Sequence, residues 1–328
     1  MATGPVGVVL LNMGGPDSLD AVRPFLFNLF SDNDIITLPA GGLVVGQRLL
    51  AWWISSKRAP VVRDYYQLIG GRSPIADITR AQASALERRL GERGRDVRCY
   101  VAMRYWHPFT DEALAAARKD GAHRLIALSL YPHYTTATTG SSLNELYRRV
   151  HAGDDLGVIA SIDRFYDDPG YLDALAAQVR AGLAVFSDAA PTLLYSAHGL
   201  PRSFIRKGDP YVEHLLHTIA GVNARLAAEG GRPPAWRLAY QSRIGDGWIG
   251  PGTEEALREL AESGRRDVLV VPISFVSDHI ETLYEIDILF AEEARRLGLN
   301  MRRAPSLNDA PAFIDALAGL VEGALDRL

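Results

Sequence analysis

Short apolar runs alternate along this chain with segments of helical periodicity, and that alternation is the feature that most restricts its fold. Buried strands are predicted at residues 7–11, 97–103, 124–130, 192–196, 237–241 and 267–275. Helical patterns lie between them, for example at residues 75–90, 111–119 and 253–263. Strands that alternate with helices form parallel sheets covered on both faces. The pattern therefore predicts an α/β fold.

A weak internal repeat indicates that this α/β pattern occurs twice. The segment Thr110-Asp111-Glu112-Ala113-Leu114 matches Thr253-Glu254-Glu255-Ala256-Leu257, and at the same offset Gly121 corresponds to Gly264. Chance similarity between two helix-then-strand units is the alternative. With 328 residues there is room for two domains. We predict two similar doubly wound domains, residues 1–165 and 166–328, joined within residues 161–191, with a C-terminal helix over residues 310–328.

Charge and cysteine content exclude several classes of function. The net charge is −4 and no basic stripe interrupts the mixture of signs, which argues against nucleic acid as a partner. The single cysteine, Cys99, excludes an internal disulfide framework, a cysteine-rich zinc site and a cysteine-ligated iron–sulfur cluster. This composition fits a cytosolic protein.

Three common catalytic or nucleotide-binding motifs are absent from the sequence. No Gly-x-Gly-x-x-Gly follows the first predicted strand, no phosphate-binding loop ends in Gly-Lys-Ser/Thr, and no Gly-x-Ser-x-Gly is present. Dinucleotide binding, nucleotide hydrolysis and serine-nucleophile chemistry therefore lack their usual loops.

Residues 35–54 form the longest apolar stretch, which ends near Trp52 and Trp53. Gly41, Gly42 and polar residues interrupt it, so it falls short of a membrane span. It is either a core helix with flanking loops or an apolar lip that touches a membrane surface or a hydrophobic substrate. No secretory signal is predicted at the N-terminus.

Ligands of open parallel sheets bind beyond the carboxyl ends of the strands, which makes the residues after each strand candidates for the site. After the last long strand, Asp278, Glu281 and Glu285 are spaced three and four residues apart, which places them on one face of a predicted helix. Such a column can guide a divalent cation or accept protons. Acidic residues also suit a helix N-terminus electrostatically, but Glu285 lies beyond the first turn and is poorly explained that way.

His198 follows another strand and precedes Gly199, which predicts an exposed position at the strand end rather than one packed in a helix. A structural histidine bound to a loop is the alternative. One histidine and one carboxylate offer a nitrogen and an oxygen ligand, which suits transient binding of iron. They are too few for a closed structural site, which is usually four-coordinate.

The sequence resembles the ferrochelatases over nearly its whole length. The resemblance is carried by several long motifs in order: Leu11-Asn12-Met13-Gly14-Gly15-Pro16-Asp17, Leu29-Phe30-Ser31-Asp32 with Asp34-Ile35-Ile36, Ile69-Gly70-Gly71-Arg72-Ser73-Pro74, Tyr131-Pro132-His133-Tyr134, Thr139-Gly140-Ser141-Ser142-Leu143-Asn144, Ser196-Ala197-His198-Gly199-Leu200-Pro201, Gly208-Asp209-Pro210-Tyr211, Tyr240-Gln241-Ser242-Arg243 and Val271-Pro272-Ile273-Ser274-Phe275-Val276-Ser277-Asp278-His279-Ile280-Glu281-Thr282-Leu283-Tyr284-Glu285. It implies a monomer or homodimer of two Rossmann-like halves, of the class II chelatase type, with a porphyrin cleft between them.

The resemblance also implies roles for individual residues. The handling of iron and of the pyrrole protons falls to His198 and Glu281, which are the implied metal ligands. His279 and Asp278 are implied as supporting catalytic residues, and Glu285 continues the acidic path. The residues implied to line the macrocycle pocket are Met13, Arg58, Tyr66, Ser73, Arg104, Tyr134 and Trp248. Residues 49–54 are implied to form a lip over that pocket, which adds peripheral membrane contact to a cytoplasmic location.

The chemistry of metal insertion suits these residue types. Two pyrrole protons are exchanged for Fe²⁺, so the ring has to be gripped, held bent and deprotonated on one face. Met13, Tyr66, Tyr134 and Trp248 suit the walls of such a pocket. Arg58 and Arg104 suit the propionates. Histidine suits proton removal near neutral pH. Fe²⁺ is a substrate, and no electron transfer calls for a permanent cofactor.

Two departures from the family pattern bear on these expectations. Some relatives hold a [2Fe–2S] centre on C-terminal cysteines, and the C-terminal residues here include none, so no such cluster is expected. His133 stands where glutamine is common in the family, and the sequence assigns it no role.

Met13 bears on the choice of porphyrin. Relatives associated with coproporphyrin have tyrosine at this place, which favours protoporphyrin IX as the substrate and protohaem as the product. The alternatives are coproporphyrin as the substrate, a different tetrapyrrole or metal, and a porphyrin or haem carrier on the same fold.

Overall fold

Two four-stranded parallel sheets organise the chain. The computed structural model describes residues 4–35, 44–153, 155–186, 191–228 and 234–328, with the backbone alone at residues 44 and 45. The contacts divide the chain into a first unit, Met1–Arg164 with Leu317–Leu328, and a second unit, Phe165–Ala316. Each unit contains one sheet.

The sheet of the first unit consists of β1 (Val6–Asn12), β2 (Val97–Met103), β3 (Arg124–Ser129) and β4 (Gly157–Ile162), in the spatial order β2-β1-β3-β4. Strand β1 is central and pairs in register with β2 from Val6 opposite Val97 to Asn12 opposite Met103. Val8, Val9 and Leu10 are completely buried, as expected for a strand covered on both faces. The helices of this unit are α1 (Val22–Phe30), α2 (Val44–Leu68), α3 (Ile75–Glu92), α4 (Thr110–Lys119) and α5 (Ser141–His151), the last preceded by a π-helical turn at Thr136–Gly140.

The sheet of the second unit has the same arrangement. It consists of β5 (Thr192–His198), β6 (Trp236–Gln241), β7 (Asp267–Pro272) and β8 (Asn300–Arg303), in the order β6-β5-β7-β8. Its helices are α6 (Pro169–Leu183), α7 (Arg202–Arg206), α8 (Tyr211–Ala227), α9 (Thr253–Glu262) and a π-helix at Glu281–Phe290 that continues into α10 (Ala291–Arg296). The last helix, α11 (Pro311–Leu325), begins in this unit and ends in the first. The prediction of two similar α/β halves is confirmed.

The last helix differs from the predicted domain ranges. The sequence-based division at 165/166 falls next to the boundary between the units, but residues 317–328 pack with the first unit rather than with the second. Arg93 pairs with Glu322 at 2.8 Å and Arg95 pairs with Asp326 at 2.7 Å, which ties this segment to the end of α3. The helical pattern itself shows where a helix lies, but not which sheet it covers.

Helix α2 carries the described part of the apolar stretch, and residues 36–43 of that stretch lie outside the described residues. One face is buried, with Ala51 and Ser55 completely inaccessible. Leu49, Trp52 and Trp53 project from the other face and are 64%, 54% and 55% exposed. The helix therefore combines a packed face with an apolar face open to solvent. No described helix is both long enough and apolar enough to cross a membrane.

Candidate active site

The carboxyl ends of β5, β6 and β7 bring together the polar residues of the second unit. His198 is the last residue of β5 and lies opposite Gln241, the last residue of β6. After β7, the chain runs through Ser274 and Ser277 into the π-helix that begins at Glu281. The parallel register of neighbouring strands therefore delivers these side chains to one edge of the sheet.

His198 and Glu281 form the central contact. Nδ1 of His198 lies 2.8 Å from Oε2 of Glu281. The backbone of His198 is fixed on both sides, because its N–H donates to Oγ of Ser274 at 3.0 Å and its carbonyl accepts from the Tyr211 hydroxyl at 3.1 Å. The His198 side chain is 35% exposed and that of Glu281 is 11% exposed. Since Glu281 occupies Nδ1, Nε2 is the ring nitrogen that can act on a substrate.

The pKa values of the two groups shift in opposite directions. Burial alone lowers the pKa of His198, but the charge and hydrogen bond of Glu281 outweigh burial and raise it. Burial alone raises the pKa of Glu281, but His198 outweighs that effect and brings it below its ordinary value. Both directions describe an attraction between the imidazolium and the carboxylate that outweighs the cost of burying each charge.

Glu285 lies one turn further along the π-helix and is held by β6. Oγ of Ser242 lies 2.8 Å from each oxygen of the Glu285 carboxylate. The side-chain amide of Gln241 lies 3.3 Å from Oε2 of Glu285 and 3.4 Å from Oε2 of Glu281, between the two acids. Burial first, and then the charge of Glu281, raise the pKa of Glu285 to about 7. Glu285 is thus a carboxyl group that can gain and lose a proton near neutral pH.

Asp278 does not join the two glutamates in a column of three acids. It precedes the π-helix, and its carboxylate accepts from Arg303 at 2.9 Å, Ser306 at 2.7 Å and Asn308 at 2.9 Å. Burial raises its pKa, but Arg303 and these hydrogen bonds lower it below its ordinary value overall. The predicted common face assumed an α-helix starting at Asp278, whereas the helix starts later and is a π-helix. Asp278 anchors the start of this segment.

His279 is buried beside the pair. Its Nδ1 lies 3.2 Å from the carbonyl of Ser277, and its Nε2 lies 3.9 Å from Oε1 of Glu281. Burial lowers the pKa of His279 despite the nearby carboxylates, which favours the neutral ring. Its ring also packs edge-on against Phe275 at 4.3 Å between centroids. A neutral His279 packs beside Glu281 without forming a second ion pair with it, so the charge of the Glu281 carboxylate faces His198.

Trp248 stands beside His198, with 6.4 Å between ring centroids in an edge-on arrangement. Gly199 leaves no room for a side chain, because an added Cβ would lie 2.8 Å from Arg243 and 3.0 Å from the carbonyl oxygen of Gln241. The glycine therefore lets the loop that carries Trp248 approach the end of β5. Trp248 is therefore an aromatic neighbour of the His198 ring.

In the first unit, Arg104 follows β2 and is held by a buried acid. Its Nη2 lies 3.0 Å from Oδ2 of Asp32, and its Nε donates to Oγ of Ser141 at 2.8 Å. The same Asp32 oxygen accepts from the hydroxyls of Tyr105, at 2.6 Å, and Ser141. Tyr105, directly after β2, and Ser141, in the segment after β3, belong to the candidates that follow strands, but neither they nor Asp32 was predicted to have a particular role. A single buried aspartate does not change the hydrophobic pattern of the sequence. The role of Asp32 becomes visible only from its contacts with Arg104, Tyr105 and Ser141 in the structure.

The other predicted pocket residues of the first unit fall into three groups by their burial. Tyr66 and Ser73 are buried, at 2% and 5% exposure, and Ser73 packs directly against Gly15. Arg58 is exposed, and its guanidinium lies 5.7 Å from the centroid of the Phe30 ring. Met13 and Tyr134 are partly buried. Of these five residues, Met13, Tyr134 and Arg58 have side chains that a ligand can reach.

Among the residues that the structure describes, no group of three or more histidine, cysteine, aspartate or glutamate side chains is arranged to hold a metal ion. His198 and Glu281 together present one nitrogen and one carboxylate. Such a donor set suits iron that passes through the site as a substrate.

The chain is similar over nearly its whole length to proteins of one family. A family model described as ferrochelatase matches residues 5–325. A ferrochelatase of Geotalea uraniireducens is 53% identical over 317 residues, covering 96% of both chains. A ferrochelatase of Gloeothece citriformis is 47% identical over 328 residues, covering 98% of this chain and 83% of the relative.

Two solved structures share the fold. SirB from Bacillus subtilis, solved with Fe³⁺, aligns with a TM-score of 0.54 at 11% identity over 98% of this chain and 95% of its own. CbiX, described as the terminal enzyme of sirohaem biosynthesis in denitrifying bacteria, aligns with a TM-score of 0.50 at 18% identity over 98% and 99%. At such low identity these likenesses show the architecture alone.

Proposed function

The chain belongs to the ferrochelatase family of metal-insertion enzymes, and from this premise we propose that it inserts Fe²⁺ into protoporphyrin IX, releasing two protons and forming protohaem. The observation that carries the proposed chemistry is the His198–Glu281 pair with Glu285 one turn away. This group of residues combines a base, a carboxylate ligand and a proton acceptor that works near neutral pH.

His198 is the base in this proposal. When the imidazole is neutral, Nδ1–H faces Glu281 and the lone pair of Nε2 accepts a pyrrole proton. The carboxylate then stabilises the imidazolium that forms, which is the reason for the raised pKa of His198. A higher pKa makes the imidazole a stronger proton acceptor but also requires that the proton be removed before the next transfer.

Glu285 supplies the route for that proton. Its pKa of about 7 lets it take up a proton and release it near neutral pH. The amide of Gln241 bridges Glu281 and Glu285. Fe²⁺ is proposed to meet Nε2 of His198 and the Glu281 carboxylate as it replaces the two pyrrole protons. Electrons are not transferred in this exchange, so we propose no permanent cofactor.

Protoporphyrin IX is the porphyrin that the first unit favours. Met13 offers an apolar contact, and the charge of Arg104 is already paired with the buried Asp32. Coproporphyrin carries four propionates rather than two. Burying an unpaired neutral polar group costs on the order of 2–7 kcal/mol, and an unpaired carboxylate costs more. The two additional propionates of coproporphyrin would therefore be unfavourable against apolar side chains.

An anaerobic assay with protoporphyrin IX and coproporphyrin III, run side by side with Fe²⁺, tests the proposal. We expect catalytic growth of the haem spectrum and a higher kcat/KM for protoporphyrin IX. A higher kcat/KM for coproporphyrin III overturns the substrate assignment alone. A spectral change that stops at one equivalent per protein indicates a carrier and overturns the proposed turnover.

A further inference from the structure

Ser242 adopts a backbone conformation that serine rarely takes. It directly follows β6 and has φ of +56°, in the left-handed region where glycine is favoured. A glycine at this position would relieve the strain, whereas serine retains a side chain there. Strain of this kind persists where the surrounding structure and a functional requirement maintain it.

The side chain that this conformation presents makes its two short contacts with Glu285, and its hydroxyl also helps to lower the pKa of Glu281. Oγ of Ser242 lies 2.8 Å from Oε1 and 2.8 Å from Oε2 of Glu285. The hydroxyl therefore faces the middle of the carboxylate and can donate its proton to either oxygen, which holds the carboxylate group next to the end of β6. Two carboxylates one turn apart repel each other, so Glu285 needs such a donor to stay beside Glu281.

Gln241 completes the arrangement from the adjacent position. Its Oε1 accepts from Oγ of Ser196 at 2.6 Å, which fixes the orientation of the amide. The amide nitrogen then points to the acids, 3.0 Å from the carbonyl of Glu281 and 3.3 Å from Oε2 of Glu285. Successive residues at the end of β6 thus supply two donors to the two acids of the π-helix.

We propose that Ser242 is a positioning residue for iron insertion, whose hydroxyl holds the Glu285 carboxylate next to the end of β6, beside Glu281. The pair of acids is then ready for an incoming Fe²⁺ without first reorganising. Ser242 acts through Glu285 and makes no contact with the porphyrin. This role rests on the proposed metal insertion, and it assigns a purpose to the Gln241-Ser242 segment.

Two substitutions of Ser242 separate its hydroxyl from its backbone. Ser242→Ala removes the hydroxyl but keeps a Cβ atom, and with it the strain of the left-handed backbone conformation. Ser242→Gly removes both the hydroxyl and the Cβ atom. Since the hydroxyl carries the role, kcat for Fe²⁺ insertion should fall about tenfold in both variants, the effect of losing one hydrogen bond to a charged group. The KM for porphyrin should stay within about twofold, because the ring is not contacted. Ser242→Gly should also melt at a higher temperature than Ser242→Ala.

Two controls keep the result interpretable. Ser263→Ala, an exposed serine at the end of α9 in the same unit, should leave kcat unchanged. In a Glu285→Gln background, Ser242→Ala should cause little further loss, because both changes act on one contact. Wild-type kcat in either variant, or a loss in Ser242→Ala that Ser242→Gly restores, overturns the proposal. Absence of turnover in the wild-type protein overturns the proposed metal insertion instead.

Discussion

At the scale of single residues, the pairing of His198 with Glu281 decides what the histidine can do. The nearby carboxylate raises the pKa of His198 and stabilises its protonated form. His198→Ala removes both the base and the nitrogen ligand, so insertion should be lost. Porphyrin binding should stay within about tenfold, because the side chain acts on protons and metal rather than on the bulk of the ring. Steady-state assays and fluorescence titration measure the two quantities, and a variant that retains most of its activity contradicts the assignment.

The two glutamates differ in their distance from the histidine, and their substitutions should differ accordingly. Glu281→Gln removes the charge that faces His198 at 2.8 Å, so kcat should fall by at least about 100-fold. Glu285→Gln leaves that contact intact and should slow turnover less, by about tenfold. Circular dichroism of both variants should match that of the wild type. Small and equal losses would mean that the acids only complement the dipole of the helix.

Glu285 also makes stability depend on pH in a particular direction. Its pKa rises from about 4.3 in an unfolded chain to about 7 in the folded protein. Between these values the folded state binds more protons than the unfolded one, so this group's contribution to stability falls as pH rises. Glu285→Gln removes that decline. The free energy of unfolding of the variant relative to wild type should therefore rise by about 1–3 kcal/mol from pH 4.5 to pH 7.5.

Urea unfolding at a series of pH values measures this difference. Glu259→Gln, an exposed glutamate on α9, is the matched control for the loss of one carboxylate. A relative free energy of unfolding that falls with pH would show that the Glu285 carboxyl is stabilised in its charged form.

At the scale of elements, Arg303 at the end of β8 holds the π-helix at two points. Its guanidinium contacts Asp278 at 2.9 Å before the helix and Asp287 at 2.7 and 2.9 Å within it. The side chains of Arg303 and Asp278 are 14% and 19% exposed, so this ion pair is largely shielded from water. The clamp fixes the segment that carries Glu281 and Glu285.

Replacing Arg303 tests the clamp. Lysine keeps the charge but cannot contact both acids with a planar fork, so Arg303→Lys should lower the free energy of unfolding by about 1–3 kcal/mol. The control is Arg296→Lys, whose pair with Glu292 is exposed and should change stability by less than about 0.5 kcal/mol. Equal effects of the two substitutions in urea unfolding would contradict the clamp.

The open apolar face of α2 gives a second prediction for an element. Trp52 and Trp53 are more than half exposed, and aromatic side chains in such positions partition into lipid interfaces. The protein should sediment weakly with liposomes, and a Trp52→Glu, Trp53→Glu double substitution should reduce the bound fraction while leaving the melting temperature within a few degrees. If the wild type does not sediment, this face serves a substrate rather than a membrane.

At the scale of the whole molecule, the sequence predicted the architecture better than the details of the site. All six predicted strands are present: β1, β3, β5 and β7 are central and continuously apolar, and the edge strands β2 and β6 are apolar enough to be recognised. Strands β4 and β8 were missed, since β8 is only the four residues Asn300–Arg303 and contains two arginines. Edge strands lie partly in solvent and need not be apolar.

The candidate site was predicted in part for a similar reason. Position after a strand identified His198, Glu281 and Glu285, because strand ends meet at one edge of a sheet. Asp278 lies apart from Glu281 and Glu285 because the helix begins after it and is a π-helix. The local sequence does not predict a π-helix, which is a rare conformation. The anchoring of Arg104 by Asp32 likewise depends on contacts distant in sequence.

The first unit of this molecule is discontinuous, since residues 317–328 complete it from the far end of the chain. During synthesis, the sheet of that unit emerges first, but Glu322 and Asp326, the partners of Arg93 and Arg95, are made much later. The second unit is continuous, so all of its parts emerge before the first unit is complete. The half of the protein whose sheet is translated first is therefore the half that receives its last segment, the final turns of α11, after the second unit has been made.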